Sequence, residues 1–191
     1  MVVRRLREAD LLTTGARGRH APQTQPLDAS RILTALLIQE RTVDAPLAVH
    51  DFGTLVCIET KVEEFPAVAP ERHLELDLPV GHLFEDGLAA LIKKLATAPS
   101  PSNQTHSLHF NGVPIPAGLA VWADITNLIC GIEIPATTYT YAHHSLANNA
   151  AAAATPYLTT MRRHRTSNFQ VRHTMPAHML ARVAADFAGG D

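Results

Sequence analysis

Apolar residues recur at helical spacing in the first part of the chain. The pattern predicts a helix over Val2–Leu12 and a second over residues 28–41, with Asp28 at its N-cap, because Asp is a preferred N-cap residue. Residues 13–26 between them are rich in Gly and Pro, which is typical of a loop. A third, short helix is predicted from Pro46 through Phe52, with an extension to Val56 left open, because proline suits a first helical turn.

The pattern changes from residue 57 onward. Arg72–Leu78 alternates polar and apolar residues, which is typical of a half-buried strand, whereas Gly81–Thr97 returns to helical spacing. Three more strand-like runs follow, spaced closely enough for an antiparallel meander, and Asn111-Gly112 resembles a hairpin turn. These runs are Thr105–Asn111, Leu119–Ile125 and Leu128–Ile134.

The C-terminal part is predicted to be helical. Alanine has the highest helix propensity, so Ala150–Ala154 favours a helix over Ser145–Ala154, and a last helix is predicted over Met175–Ala188. This order of elements indicates an α+β fold. We divide the chain into a helical, basic N-terminal lobe (residues 1–56) and a mixed lobe (residues 57–191) with a small antiparallel sheet and C-terminal helices.

Charge is distributed unevenly along the chain. Charged residues make up only 18% of the 191 residues, and the formal net charge is -2. Residues 1–31 hold six arginines against three acidic residues, and residues 162–191 hold five against two. The segment between them holds five basic and 13 acidic residues. Basic ends and an acidic middle favour contact with polyanions or between copies of the chain.

The cysteines and the apolar stretches of the sequence exclude several classes of protein. Cys57 and Cys130 lie in apolar stretches, which predicts buried, reduced thiols, and the absence of a Cys-x-x-Cys motif excludes zinc ribbons and thioredoxin-type chemistry. The most apolar stretch, Gly118–Ile134, contains Asp124 and Asn127 and is shorter than the roughly 20 residues of a membrane span. We therefore expect a cytoplasmic protein that does not contact a membrane.

The strongest candidate for binding is the basic N-terminal unit. Arginine binds phosphate in two places through its planar guanidinium, and a basic helix followed by a basic loop suits the charge density of duplex DNA. The alternative is a solvated helix and loop without a ligand. The candidate residues are Arg4, Arg5 and Arg7 on the first helix and Arg17, Arg19 and His20 on the loop.

The same segment carries a resemblance to a known family. Leu6–Leu12 has the sequence LREADLL, which resembles the Leu-Arg-Glu-Ala-x-Leu-Leu end of the recognition helix in winged helix-turn-helix regulators of the MerR kind. The loop Gly15–His20 would then stand in the place of the wing. Residues 4 to about 40 also resemble small uncharacterised proteins of proteobacterial prophages. The resemblance implies contact with DNA. Only five residues precede Leu6, too few for the helix that precedes the recognition helix in those regulators. We therefore expect either that the motif is completed from elsewhere or that Leu6–Leu12 is a common helix ending.

A second basic run lies near the C-terminus. Arg162, Arg163 and Arg165 could bind a phosphate backbone, and Phe169 with Arg172 could stack on a single strand. The alternative, which we slightly favour, is that this run neutralises the acidic middle of the same molecule or of a second copy.

Motifs for catalysis are weak. The chain has 11 histidines, yet none has His-Glu-x-x-His spacing, and zinc held by scattered ligands such as His143 or His144 with Asp124 is a distant alternative. There is no Gly-x-Ser-x-Gly elbow and no phosphate loop. The neighbours His50-Asp51 and Glu85-Asp86 are interpreted as ordinary surface pairs on helices. We expect no catalytic residue, no metal and no cofactor.

The resulting hypothesis is a nucleic-acid-associated or regulatory protein of phage origin that binds duplex DNA through its N-terminal basic helix and loop. The alternative is a structural or assembly protein, a phage particle component or homo-oligomer subunit, that does not bind DNA. Binding to duplex DNA with steep salt dependence would indicate the first, and assembly without DNA would indicate the second.

Overall fold

Helices from both ends of the chain combine with an antiparallel sheet, which confirms the α+β fold. The computed structural model describes residues 1–13, 24–38, 41–62, 76–97, 108–110, 113–115, 118–135, 137–147 and 172–188. The helices are α1 (Val2–Glu8), α2 (Pro26–Ile38), α3 (Ala45–Gly53), α4 (Phe84–Thr97), α5 (His144–Ala147) and α6 (Ala177–Ala188), with a 3₁₀ turn at Thr42–Asp44.

The strands form one large sheet and one small one, both antiparallel. The order in the five-stranded sheet is β1-β6-β5-β4-β7, and β2 pairs with β3 in a separate hairpin. The strands are β1 (Val56–Val62), β2 (Leu108–Phe110), β3 (Val113–Ile115), β4 (Ala120–Asp124), β5 (Ile129–Ile134), β6 (Thr137–Ala142) and β7 (Arg172–Met175).

An antiparallel meander is present, as predicted, but one of its three strands is not the predicted one. β4 and β5 confirm two of the three predicted strands, and β2 confirms the third in its described part, but the meander of β4 and β5 continues into β6. β2, the described part of the run Thr105–Asn111, belongs instead to a hairpin with β3, in which Phe110 pairs with Val113 on either side of Asn111 and Gly112. This spacing confirms the prediction of a hairpin there.

The strand predicted over Arg72–Leu78 is wrong in its described part. Leu76–Leu78 belongs to no strand, and the backbone N–H of Leu76 donates to the Tyr139 hydroxyl at 3.2 Å rather than to a neighbouring strand. The chain forms an unpredicted strand earlier, β1, which pairs with β6 at the edge of the sheet. Residues 72–75 lie outside the described residues.

α2 begins two residues before its predicted start. Asp28 was predicted as the N-cap, but the helix starts at Pro26, so Asp28 lies in the first turn. Its carboxylate accepts hydrogen bonds from the backbone N–H groups of Gln25 (3.1 Å) and Thr13 (2.8 Å). Asp28 thus reaches back to the residue before the helix, as the acidic residue of a capping box does, and also holds the chain that follows α1.

α1 ends four residues earlier than predicted, in a Schellman turn. The backbone N–H of Leu11 donates to the carbonyl of Leu6, and that of Asp10 donates to the carbonyl of Arg7. Asp10 has a φ of 55°, the left-handed conformation that this motif requires and that Asp tolerates better than most residues. The turn redirects the chain so that Leu12 is buried beneath the helix end.

The remaining helices agree closely with prediction. α3 carries Pro46 in its first turn, as expected. α4 begins at Phe84 rather than at Gly81, because Gly81 has a φ of 80°, which a helix does not accept. α6 confirms the last predicted helix. α5 covers the start of the helix predicted over Ser145–Ala154, and residues 148–154 lie outside the described residues.

The main hydrophobic core lies between one face of the large sheet and helices α2, α3, α4 and α6. It contains buried residues from both sides of position 56, such as Leu33 of α2 and Leu91 of α4. A smaller cluster fixes α1 against α2 and α3. Its buried members are Leu6, Leu12, Ala35, Ala45 and Val49. The division into lobes at residue 56 stays a prediction.

Two acidic residues interpreted as surface groups are not exposed. Asp51 is buried in α3, with 6% of its surface accessible. Glu85 accepts a hydrogen bond at 2.8 Å from Nε of Arg31, whose Nη1 also donates to the Leu11 carbonyl. This ion pair joins α2 to α4, and the hydrogen bond to Glu85 raises the pKa of Arg31. The sequence could not show this, because the partners are 54 residues apart.

The apolar stretch Gly118–Ile134 forms strands β4 and β5 with a turn between them. In the part of the chain that the structure describes, no helix has the length and apolar character needed to span a membrane.

Candidate functional site

The three arginines predicted on the first helix share the exposed side of α1. Leu6 is fully buried in the smaller core cluster, while Arg4, Arg5 and Arg7 are exposed. At 100° per residue these three positions occupy the half of the helix that faces away from Leu6. Burial of Leu6 and the Schellman turn therefore fix the orientation in which α1 presents its guanidinium groups.

One carboxylate lies among these arginines. Glu8 accepts a hydrogen bond from Nε of Arg4 at 2.8 Å and another from Nη1 of Arg5 at 3.1 Å. The hydrogen bond from Arg4 is the largest cause that lowers the pKa of Glu8. Arg7 makes no side-chain hydrogen bond or ion pair with any described residue. α1 therefore combines two arginines that share a carboxylate with one that is available to a ligand.

A further arginine lies close to α1 and was missed from the sequence. Arg41 precedes the 3₁₀ turn, which contacts α1, and its side chain is 86% exposed although Nε reaches Asp44 at 3.2 Å. An isolated arginine at the end of the helix predicted over residues 28–41 gave no signal, since only the packing of the neighbouring 3₁₀ turn against α1 relates it to that helix.

The other predicted binding residues are not placed by the structure. Arg17, Arg19 and His20 on the loop, and Arg162, Arg163 and Arg165 near the C-terminus, lie outside the described residues. Whether the two basic ends share one face stays open. Arg172 is described: its guanidinium lies 3.9 Å from the ring centroid of Trp122 and donates to Glu133 at 3.3 Å.

Arg172 belongs to a small group on the outer face of the large sheet. Trp122 on β4 lies against Gly131 on β5, where a Cβ would collide with its ring, and its Nε1 donates to Glu133 at 2.7 Å. Glu133 thus accepts from both Trp122 and Arg172. Arg172 thus covers the indole of Trp122. Phe169, the other residue predicted to stack on a single strand, lies outside the described residues, so that prediction stays untested.

The described histidines do not assemble a metal centre. The rings of His143 and His144 lie 4.1 Å apart between centroids, and burial followed by the neighbouring imidazole lowers the pKa of His143. Asp124 instead accepts hydrogen bonds from the backbone and side chain of Asn127. Within the described ranges, no three His, Cys, Asp or Glu residues are grouped so that they could hold a metal ion.

His82 and Tyr141 form a buried hydrogen-bonded network with the Pro79 carbonyl beneath α4. Nδ1 of His82 lies 3.0 Å from the Pro79 carbonyl, so this nitrogen carries the proton, and Nε2 bonds to the Tyr141 hydroxyl at 2.7 Å. Burial raises the pKa of Tyr141 far above its usual value. Since Tyr141 has no accessible surface, the network holds the sheet against the loop before α4 and offers no route to a substrate.

Both cysteines are buried free thiols, as predicted. Burial, with a smaller contribution from Asp124, raises the pKa of Cys130 well above its usual value. A thiol that is kept protonated is a poor nucleophile, so Cys130 is a core residue.

A groove of about 680 Å³ runs between α2 and α6. Apolar side chains from both helices form its floor, and three polar residues of α6 lie along it. Its size and mostly apolar lining are typical of binding sites, though it is open along one side. The polar residues are His178, Arg182 and Asp186.

Comparison with known proteins finds no relative of this chain. No family model matches the chain, and neither the curated proteins nor the solved structures contain a significant match.

Proposed function

We propose that the protein is a nucleic-acid-associated or regulatory protein that contacts the phosphate backbone of duplex DNA through α1. The observation that carries this proposal is the set of three exposed arginines on the side of α1 opposite its buried anchor, Leu6. Backbone contacts need guanidinium groups held in a fixed orientation but no catalytic geometry. In the part of the chain that the structure describes, the thiols are buried and no metal ligands are grouped, which is compatible with a binding role of this kind.

In this proposal, Glu8 weakens phosphate binding by Arg4 and Arg5 through its carboxylate. It holds Arg4 and Arg5 in place when no ligand is bound, and a phosphate must compete with its carboxylate for both. The change Glu8→Gln removes that competition, so we expect it to strengthen DNA binding. In a purely structural role for these ion pairs, the same change would leave DNA binding unaltered.

The experiment is fluorescence anisotropy of a labelled duplex of about 30 base pairs, titrated at about 50 and 200 mM salt. Each phosphate contact contributes about 0.9 to the slope of log affinity against log salt. Three contacts from α1 therefore account for a loss of about 40-fold between these two salt concentrations. The triple variant Arg4→Ala/Arg5→Ala/Arg7→Ala should lower affinity and remove this part of the salt dependence.

A matched control is available for the unpaired arginine. Arg7→Ala and Lys93→Ala each remove one exposed helical cation, but Lys93 lies on α4. Only Arg7→Ala should reduce the salt slope, by about one unit. Equal effects of the two changes would mean that net charge alone governs binding, and no binding at about 50 mM salt would refute the proposal.

The roles of Arg17, Arg19 and His20 are part of the same proposal but do not support it, because they lie outside the described residues. The double change Arg17→Ala/Arg19→Ala tests them separately. A loss additional to that of the triple α1 variant would indicate a footprint that extends from helix to loop.

The alternative function is a structural or assembly protein. The observation that favours it is the groove between α2 and α6, which the described chain leaves uncovered. Concentration-dependent assembly in the absence of DNA, together with no binding in the anisotropy experiment, would favour this alternative.

A further inference from the structure

The groove between α2 and α6 combines exposed apolar surface with charges that lack partners. Its apolar floor includes Leu36 of α2, which is 41% exposed, and Met179 of α6, which is 37% exposed. Val183 and Phe187 follow Met179 at intervals of four residues, so these three side chains line the same side of α6 over successive turns. Exposed apolar residues aligned in a concave surface mark interaction sites more often than scattered ones do.

The polar residues of α6 form a second column beside the apolar one. His178, Arg182 and Asp186 are also spaced four residues apart, and all three are exposed. None of the three side chains makes a hydrogen bond or ion pair with any residue that the structure describes. Arg182 and Asp186 do not pair with each other, consistent with the less favourable order of a cation four residues before an anion on a helix.

This pattern of charge is complementary to itself when the helix is reversed. If two α6 helices face each other antiparallel about a two-fold axis between residues 182 and 186, Arg182 of each copy lies opposite Asp186 of the other. The apolar column of each helix then faces that of its partner. A parallel arrangement would instead place Arg182 opposite Arg182. Two-fold symmetric contacts of this kind, in which one surface meets itself, are the commonest among homo-oligomers.

We infer that the α2–α6 groove is a homodimer interface that receives α6 of a second copy in antiparallel orientation. Residues 178–187, which line the groove, span about 15 Å along α6, and an amphipathic helix in an apolar groove is a common mode of recognition. The two ion pairs Arg182–Asp186 set the orientation, and the apolar floor with Leu36, Met179 and Phe187 supplies the buried surface. The inference does not depend on DNA binding by α1.

The test is sedimentation velocity of the full chain between about 1 and 100 µM, a range that detects micromolar dimers. Arg182→Asp places like charges opposite each other twice per dimer, and Asp186→Arg does the same with opposite sign. We expect each to weaken the dimer at least tenfold. The double variant Arg182→Asp/Asp186→Arg restores both pairs with exchanged partners and should return to within about threefold of the original affinity.

Both positions are exposed, so these variants should fold, which circular dichroism checks. Lys93→Asp, on the exposed side of α4, is the control for a change of net charge and should leave the dimer intact. A monomer at about 100 µM would overturn the inference and point to a segment of the same chain or a small molecule as the occupant of the groove. A dimer insensitive to Arg182→Asp, or a double variant that is not restored, would also overturn it.

Discussion

Replacing Gly87 by alanine tests whether the buried network under α4 is as tightly packed as the structure shows. Gly87 lies in α4 directly above Tyr141 of β6. A Cβ at this position would lie 3.0 Å from Cζ of Tyr141, 3.2 Å from Cδ1 of Ile132, and closer still to the tyrosine hydroxyl. These distances are well inside van der Waals contact, so one of the two elements must move.

Tyr141 has little room to move. Its ring meets those of Phe84 and His82 edge to face, with centroids 5.2 and 5.3 Å away, and its hydroxyl is tied to Nε2 of His82 at 2.7 Å. The backbone of α4 is held in turn by Leu88 and other fully buried side chains. The extra methyl group therefore either strains the core or breaks the buried hydrogen bond.

The magnitude follows from these two alternatives. Overpacking of a core costs about 1–3 kcal/mol, and a buried group left without its hydrogen-bond partner costs about 1–3 kcal/mol. Alanine regains about 1 kcal/mol over glycine through helix propensity. Subtracting this gain from either cost, we expect Gly87→Ala to lower the free energy of unfolding by up to about 2 kcal/mol, measured by urea denaturation followed by circular dichroism.

Two further variants make this result specific. Gly53→Ala at the end of α3 is the control, because its Cβ meets Glu85 at an ordinary 3.4 Å; stability should not fall and should rise by at most about 1 kcal/mol through helix propensity. Adding Tyr141→Phe removes the clashing hydroxyl, so the double variant with Gly87→Ala should be more stable than the sum of the single effects. If Gly87→Ala instead gains the full ~1 kcal/mol that helix propensity alone would give, the methyl group meets no obstacle and the described packing is contradicted.

Three other changes test separate parts of the molecule. Gly131→Ala pushes a methyl group into the ring of Trp122, the one tryptophan of the chain, so its fluorescence emission should shift to longer wavelength; an unchanged spectrum would contradict the packing. Arg31→Met leaves Glu85 without its partner in a partly buried site and should cost about 1–3 kcal/mol in urea denaturation, a loss that adding Glu85→Gln should partly reverse. Burial and a neighbouring imidazole lower the pKa of His143 from 6.5, so the unfolded chain binds the proton more readily and stability falls as the pH drops below about 6.5. His143→Gln should flatten that decline, and an identical pH profile would refute it.

Local patterns were sufficient to predict most of the helices and two central strands. α4 and α6 followed from apolar residues at helical spacing, and β4 and β5 from short apolar runs bounded by turn residues. Strand β6, TTYTYA, was missed although it alternates threonine with buried tyrosine. β1 was missed because most of its residues are exposed at the sheet edge, so it has no marked pattern.

The candidate sites show the same difference between what local sequence predicts and what tertiary packing decides. The sequence alone determined that α1 is a basic helix, since Arg4, Arg5 and Arg7 surround one apolar position, Leu6, at helical spacing. It could not show that Arg31 pairs with Glu85. Nor could it show that α2 and α6, separated by more than 130 residues, enclose a groove. Helix and strand formation depends on neighbours within a few residues, whereas pairing across the core depends on which elements pack together, and only the tertiary structure decides that.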